Sequence, residues 1–193
     1  DYAFLIDEAN NLVDRARDMF SADLDEQEFT EVRNAARVEL PRLAKRLGQV
    51  AKEMGSAEVE AENAGETPPR FPFARRAAPT ELVPSLRTFL VEAEAWLAQN
   101  KPARYRDSLL SLYFRAADFL RTLEQHDERY VTLVEKKGGS VRIRLFCLDP
   151  ASLVQAAVKR GRSAIFFSAT LTPMEYFRDI FGQEENDIIL KFP

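Results

Sequence analysis

Two short apolar runs, one near each end of the chain, stand out in its hydrophobic pattern. Residues 2–6 and 163–167 contain no charged side chain and do not alternate between polar and apolar positions. Runs of this kind are typical of strands that are buried on both faces of a parallel sheet. We therefore predict two buried parallel strands, with the residues between them leaving the sheet and returning to it.

Between the two runs, apolar residues recur every three or four positions, which predicts amphipathic helices. From Phe29 to Met54 the spacings are 3, 4, 4, 3, 4, 3 and 4 residues. Pro41 is expected to kink or divide this helix, because proline lacks the amide that bonds one turn back. Further helices are predicted over residues 9–20, 82–96, 109–123, 150–161 and 174–181. The pattern indicates a bundle core, and an oligomerisation coil is the alternative.

Three other segments have less regular patterns. Alternating residues around Gly138 and Gly139 predict a hairpin of strands 130–134 and 141–146. Residues 55–79 are rich in Glu, Ala, Gly and Pro and have no period, which predicts a loop, mobile over 58–66. Asp23 and Glu26 are expected to cap the helix that follows them. Residues 188–192 are expected to form a strand whose partners lie beyond the end of this chain.

Polar side chains with catalytic potential follow both apolar runs. Asp7 and Glu8 end the first run, and Ser168, Ala169 and Thr170 end the second. Ligands bind open α/β sheets at the carboxyl ends of the strands, where one carboxylate can hold magnesium and another can orient a water molecule. This is the arrangement of residues found in a Walker B element. The alternatives are a solvated acidic pair and two hydroxyls that cap the next helix.

The sequences Asp7-Glu-Ala-Asn10 and Ser168-Ala-Thr170 resemble motifs II and III of the superfamily 2 helicases. Their wider surroundings, residues 5–12 and 167–173, are similar to the XPD/DinG branch of DNA helicases. From Asp7 to Ser168 is 161 positions, whereas a crossover between parallel strands needs only about a dozen residues. A domain-sized insertion is therefore expected, and in this family that place holds the largely helical arch domain.

The resemblance implies a mixed α/β fragment of a RecA-like, P-loop NTPase motor. Residues 1–10 would be a motor strand, 11–128 the arch domain, and 129–193 a return hairpin and a second motor strand. The intact parent would unwind DNA in the 5′ to 3′ direction with ATP and Mg²⁺ as cofactors and single-stranded DNA as partner. The implied roles are magnesium binding by Asp7, water activation by Glu8, and coupling to DNA by Asn10, Ser168, Ala169 and Thr170.

Two features depart from the family pattern. The family has His where this chain has Asn10, which cannot carry a proton charge near neutral pH. No lysine is followed by Ser or Thr, so the phosphate-binding sequence Gly-x4-Gly-Lys-Ser/Thr is absent. We therefore expect no catalysis by the chain alone. The rival interpretation is a non-catalytic helical module that binds single-stranded nucleic acid or a protein.

Arginines and aromatic rings interleave in one segment that is a candidate contact for single-stranded DNA. Rings of this kind stack on bases while arginines hold phosphates. The segment contains Arg70, Phe71, Phe73, Arg75 and Arg76. A loop pinned to the bundle by its phenylalanines is the alternative. A second candidate cluster contains Lys101, Arg104 and Arg106, for which a solvated loop is the alternative.

Composition narrows the remaining possibilities. A net charge of −4 argues against a generally basic surface, so any DNA contact has to use local patches. The single cysteine, Cys147, excludes an internal disulfide and a four-cysteine iron–sulfur cluster within this chain, and it favours a reducing, cytoplasmic compartment. No apolar run approaches the ~18 residues of a membrane span. A start at Asp1, directly before a predicted strand, indicates an excised fragment.

Overall fold

The computed structural model describes residues 2–63, 72–182 and 187–190. The chain divides into two compact units. Residues 1–20 and 147–193 form the first unit, and residues 21–146 form the second. The segment that forms the second unit therefore begins and ends between the two segments of the first.

The described elements include both helices and strands, so the fold is mixed α/β. In chain order they are β1 (Ala3–Ile6), α1 (Leu12–Met19), β2 (Ala22–Asp25), α2 (Glu26–Ala36), α3 (Pro41–Asn63), β3 (Phe73–Arg75), α4 (Val83–Leu97), α5 (Arg106–Glu124), β4 (Tyr130–Lys137), β5 (Ser140–Cys147), α6 (Ala151–Val158), β6 (Ser163–Phe166) and α7 (Met174–Phe181). Short 3₁₀ helices precede α1 and α4. No described helix combines the length and apolar character that crossing a membrane requires.

The first unit contains a sheet of two parallel strands, β1 and β6, in which Leu5 lies opposite Ile165. The predicted parallel pairing is confirmed. One sheet face is covered, and there the Phe166 ring stacks on Phe181 of α7 at 4.2 Å. The other face is open, with Leu5 70% and Ile165 55% exposed. Burial on both faces was therefore a wrong prediction for the described chain, because none of its elements covers this second face.

The second unit combines helices α2 to α5 with a four-stranded sheet in the order β2-β5-β4-β3. Neighbouring helices pack as α2 with α3, α3 with α4, and α4 with α5. The rings of Phe29 and Phe89 meet edge to face at 5.7 Å in the shared core. Other core residues are Leu24, Leu47, Leu86, Leu109, Phe119 and Ile143. Most of these belong to the predicted apolar stripes, so the predicted helical core is confirmed.

Pro41 divides the long predicted helix in two. Helix α2 ends at Ala36, and α3 begins at Pro41. Proline is well tolerated in the first turn of a helix, because the amide it lacks would have no partner within the helix there. The chain thus reverses between α2 and α3, and the seam predicted from the spacing is shared by two packed helices.

The segment predicted as a loop is partly regular. Helix α3 continues to Asn63, so the predicted mobile loop is helical over residues 58–63. Glu and Ala favour helices, and a helix that is already packed extends at little cost. Residues 73–75 form strand β3, where Phe73 pairs with Val134 of β4. Pairing with an available strand edge overrides a sequence that lacks a strand period.

One further local prediction is wrong, and another stays untested. Strand β2 was not predicted and pairs with β5, so Asp23 lies in a strand and does not cap α2. The cap is Asp25, whose Oδ1 accepts from the Gln27 amide at 2.8 Å. Residues 188–190 pair with no described strand, and residues 191–192 lie outside the described residues, so a strand with partners beyond the chain's end stays a prediction.

The predicted hairpin is confirmed as β4 and β5. Its turn is Gly138-Gly139, with φ of 60° and 86°, the backbone that two-residue hairpin turns require and that glycine adopts readily. Val141, Ile143 and Leu145 are buried. The hairpin belongs to the second unit by its contacts.

His126 is expected to make the stability of the second unit depend on pH. Its ring stacks on Tyr130 at 5.5 Å, and burial lowers the pKa of His126. The unfolded chain, with an ordinary pKa of about 6.5, therefore binds a proton more readily than the folded chain. Stability is expected to fall as the pH drops from about 6.5 towards the folded pKa.

The change His126→Gln should remove this contribution. Urea unfolding at about pH 7.5 and 5.5, on either side of the ordinary histidine pKa, should show a larger loss for the wild type than for the variant. Equal losses in the two proteins would contradict the assignment.

Candidate functional site

The loops after β1 and β6 are joined at the carboxyl edge of the two-stranded sheet. The Phe167 amide donates to the Ile6 carbonyl at 3.0 Å, and the Ala9 amide donates to the Phe167 carbonyl at 3.2 Å. These bonds continue the parallel pairing beyond both strands. They place the acidic pair and the Ser-Ala-Thr sequence at one edge, as the two strand endings predict.

The acidic pair forms a tight, exposed turn. Asp7 Oδ1 accepts from the Glu8 amide at 2.7 Å. Glu8 has φ 50° and ψ 43°, a left-handed backbone that costs a residue with a side chain about 1–2 kcal/mol. Such strain clusters at functional sites, where the surrounding structure maintains it. Here the bonds that tie the two loops together hold the turn.

Asn10 links Glu8 to both hydroxyl residues. The oxygen and nitrogen of a side-chain amide have nearly the same size and geometry, so their positions are assigned from the hydrogen bonds they make. The assignment that satisfies both atoms has the Asn10 nitrogen donating to Glu8 Oε2 at 3.1 Å and to Ser168 Oγ at 2.7 Å. The Asn10 oxygen then accepts from Thr170 Oγ1 at 3.3 Å. One neutral side chain thus contacts Glu8 and both hydroxyl residues.

The two hydroxyls do not cap the next helix. Helix α7 follows Pro173 and has no side-chain cap, whereas Ser168 Oγ accepts from the Thr170 amide at 3.2 Å. Ala169, between them, is exposed. The capping alternative is therefore wrong for α7, and the hydroxyls are directed to their own loop and to Asn10.

Of the acidic pair, Asp7 could supply one carboxylate to a magnesium ion whose other ligands are phosphates and waters. Magnesium keeps several waters and takes only one or two carboxylates, with phosphates supplying further ligands. Asp7 is exposed, and its Oδ2 makes no hydrogen bond within the described residues. Across those residues, no three Asp, Glu, His or Cys side chains could enclose a metal ion. The turn is thus suited to one carboxylate contact.

The arginine-aromatic segment makes contacts within the second unit. Phe73 packs against the core, Arg75 forms an ion pair with Glu81, and Arg76 Nη1 donates to the Glu128 carbonyl at 3.0 Å. These are the contacts expected of the pinned-loop alternative. Arg70 and Phe71 lie outside the described residues, and a nucleic-acid role for the segment stays a prediction.

The second cationic cluster lies in the link between α4 and α5. Lys101 and Arg104 are exposed, while Arg106 Nη2 donates to Asn100 Oδ1 at 2.8 Å. Lys101 and Arg104 are therefore open to solvent, whereas Arg106 is held by Asn100 and also lies 3.6 Å from Asp107.

One feature of the first unit has no sequence signal. A cavity of about 510 Å³ lies beside β6, lined by Ile165, Phe166, Phe177, Arg162 and Arg178 among others. Its walls come from β6, α6, α7 and residues 187–190. No motif marks it, because it depends on how these elements pack.

Comparison with known proteins gives one informative similarity. No protein-family model matches the chain. The chain is 21% identical over 207 residues to the ATP-dependent DNA helicase CHL1 of Coccidioides immitis (strain RS). The alignment covers 93% of this chain and 24% of that protein, so the chain spans about a quarter of the length of this relative. Over nearly all its length, the chain is thus similar to part of an ATP-dependent DNA helicase.

Proposed function

We propose that this chain is part of an XPD/DinG-like, ATP-dependent DNA helicase with a RecA-like motor. The observation that carries the proposal is the parallel pairing of β1 and β6. It brings Asp7 and Glu8 to the same edge as Ser168 and Thr170, the arrangement that motifs II and III require. The similarity to CHL1 supports the proposal, since it covers 93% of the chain.

In this proposal the acidic pair divides the work of ATP hydrolysis. Asp7 would hold the magnesium ion of a bound nucleotide. When bound, that ion would neutralise charge on the phosphate oxygens. Glu8 orients the attacking water and accepts its proton at a carboxylate oxygen. The exposed position of both side chains leaves room for the nucleotide.

Asn10 connects this site to the loop after β6. A change in hydrogen bonding or charge at Glu8 alters its contact with Asn10 and, through the same amide, the contacts to Ser168 and Thr170. An amide does not titrate near neutral pH. The connection therefore works through hydrogen-bond geometry, without the charge change available to the family's histidine.

The second unit is the arch domain in this proposal. It occupies the chain between the two motifs, and helices α2 to α5 form much of it. Its role would be to help enclose single-stranded DNA during 5′ to 3′ movement. A non-catalytic binding module is the second candidate, favoured by the absence of Gly-x4-Gly-Lys-Ser/Thr from the 193 residues.

The isolated chain should not turn over ATP, because it lacks that phosphate-binding sequence. The measurement is steady-state phosphate release by the purified chain, compared with a longer polypeptide of the same gene that contains such a sequence upstream. The longer polypeptide should hydrolyse ATP, and DNA should stimulate it. Turnover by the isolated chain that is lost in Glu8→Gln would contradict the expected inactivity. An upstream region without the sequence would favour the module.

A further inference from the structure

Two of the connections between helices in the second unit, α2–α3 and α4–α5, meet at one end of its helical bundle. Tyr105, in the α4–α5 link, donates from its hydroxyl to Glu39 Oε2 in the α2–α3 turn at 2.8 Å. Tyr105 is only 4% exposed, and its ring lies 5.3 Å from Trp96. Burial, with the bond to Glu39, raises the pKa of Tyr105 to about 12. The hydroxyl therefore stays protonated, and the two connections remain joined.

This end of the bundle, residues 37–46 and 98–107, is called the basic end below. It carries seven lysines and arginines against two acids, a net charge of +5, whereas the whole chain has −4. The cations are Arg37, Arg42, Lys45, Arg46, Lys101, Arg104 and Arg106. Of the acids, Glu39 is bonded to Tyr105, and Asp107 lies 3.6 Å from Arg106. Glu94 adds one exposed acid a turn before α4 ends.

Most cations of the basic end have no acidic partner. Within the described part of the chain, none of Arg37, Arg42, Lys45, Lys101 and Arg104 forms an ion pair, and all five are exposed. Some exposed arginines elsewhere in the unit do have acidic partners: Arg115 pairs with Glu28 and Arg121 with Asp118, both at 2.7 Å. Unpaired like charges repel one another, so this arrangement destabilises the unit slightly and favours the binding of a polyanion, which would neutralise the charges.

The surface chemistry of the basic end fits phosphates better than bases or an acidic protein. Val38, 86% exposed, is its one exposed large apolar residue among those described, and no aromatic ring there is exposed. Sites for single strands normally offer rings for stacking, and protein partners normally find an apolar anchor. Arginine forks bind phosphate oxygens in pairs. Double-helical DNA presents one such charge per ~1.7 Å of its axis.

We propose that the basic end binds the phosphate backbone of double-helical DNA without reading its bases. The choice of nucleic acid over an acidic protein rests partly on the proposed helicase function. The contact itself involves only the second unit and needs neither nucleotide nor the acidic pair.

The test is a fluorescence-anisotropy titration of the full 193-residue chain. The probes are a labelled duplex of arbitrary sequence and a single strand of the same length, each at several salt concentrations. The double variant Arg42→Glu/Lys101→Glu is compared with Lys52→Glu/Arg160→Glu. The second pair is exposed, lies outside the basic end and changes the net charge equally. Arg42→Glu puts a negative charge in the first turn of α3, where the helix dipole favours it, and circular dichroism checks the fold.

The wild type should bind the duplex more tightly than the single strand. The basic-end variant should lose about tenfold in duplex affinity, and its slope of log affinity against log salt should fall by about 1.8, the value for two phosphate contacts. The Lys52/Arg160 control should keep most of the affinity and the slope. Equal losses in the two variants, or tighter binding of the single strand, would overturn the proposal.

Two further results separate this proposal from its rivals. Polyglutamate and unlabelled DNA are compared as competitors at equal charge concentration. If polyglutamate displaces the labelled duplex equally well, the site binds acidic proteins and the DNA assignment is overturned. If the basic-end variant binds the duplex as tightly as the wild type while Glu8→Gln abolishes turnover in the longer polypeptide, only the DNA-binding proposal for the basic end is disproved. If the basic-end variant loses duplex affinity while Glu8→Gln leaves turnover unchanged, only the proposed role of Glu8 in ATP hydrolysis is disproved.

Discussion

Replacing Glu8 by Gln in the longer polypeptide is expected to lower ATP turnover by about 10²–10⁴-fold, the usual contribution of a general base, and to leave nucleotide binding unchanged. Glutamine has the shape of glutamate but cannot accept a proton from water. Its side-chain oxygen can still accept the hydrogen bond that Asn10 donates to Glu8 Oε2 at 3.1 Å. The loss should therefore appear in turnover and not in the assembly of the site.

The matched control is Glu175→Gln, which neutralises an exposed glutamate in the first turn of α7. Turnover should be unchanged in this variant. Phosphate release and binding of a fluorescent nucleotide, measured for both variants, separate chemistry from affinity. Turnover retained in Glu8→Gln would remove Glu8 from its proposed role.

Replacing Gly161 by Ala is expected to destabilise the first unit by about 1–3 kcal/mol, the typical cost of overpacking. A Cβ at Gly161 would lie 2.8 Å from two carbon atoms of the Phe4 ring and 3.3 Å from the Tyr2 carbonyl oxygen. The ring also meets Tyr2 edge to face at 5.2 Å. The Arg162 amide donates to the same Tyr2 carbonyl at 2.8 Å. Neither the Phe4 ring nor the Tyr2 backbone can therefore move away from the added Cβ without disturbing β1.

The matched control is Gly55→Ala in α3, where an added Cβ meets no atom within 4 Å. Alanine in a helix interior is favoured over glycine by roughly 0.5–1 kcal/mol, so this variant should be more stable than the wild type. Hydrogen exchange of the β1 amides and urea unfolding distinguish the two cases. Wild-type protection of the β1 amides in Gly161→Ala would contradict this prediction, because it would show that the residues around Phe4 accommodate the extra methyl group.

The helices were predictable because their signal is local. Apolar residues that recur every three or four positions lie on one helix face whatever that face contacts, so the stripes through Phe89 and Phe119 identified α4 and α5 in advance. Pro41 marked the division between α2 and α3 for an equally local reason, its missing amide. The irregular strands were different. Residues 22–25 and 73–75 became strands only because β5 and β4 offered them edges.

The site was predictable in its residue types and its place. Apolar runs that end in Asp7-Glu8 and in Ser168-Ala169-Thr170 indicated two parallel strands that end at one sheet edge, and the strands pair in that way. The left-handed backbone at Glu8 and the position of the Asn10 amide could not be predicted. Both depend on bonds between loops that are about 160 residues apart in sequence.

By itself, the sequence determined the helical faces, the hairpin turn at Gly138-Gly139 and the polar residues that follow each apolar run, because these features depend on near neighbours and on backbone chemistry. Only the tertiary structure decided which edges pair, which sheet face stays open and which cations are left without partners. Those outcomes depend on contacts between residues that are distant in sequence. The basic end illustrates this division: its charges are visible in the sequence, but Tyr105 and Glu39 bring them together only in the fold.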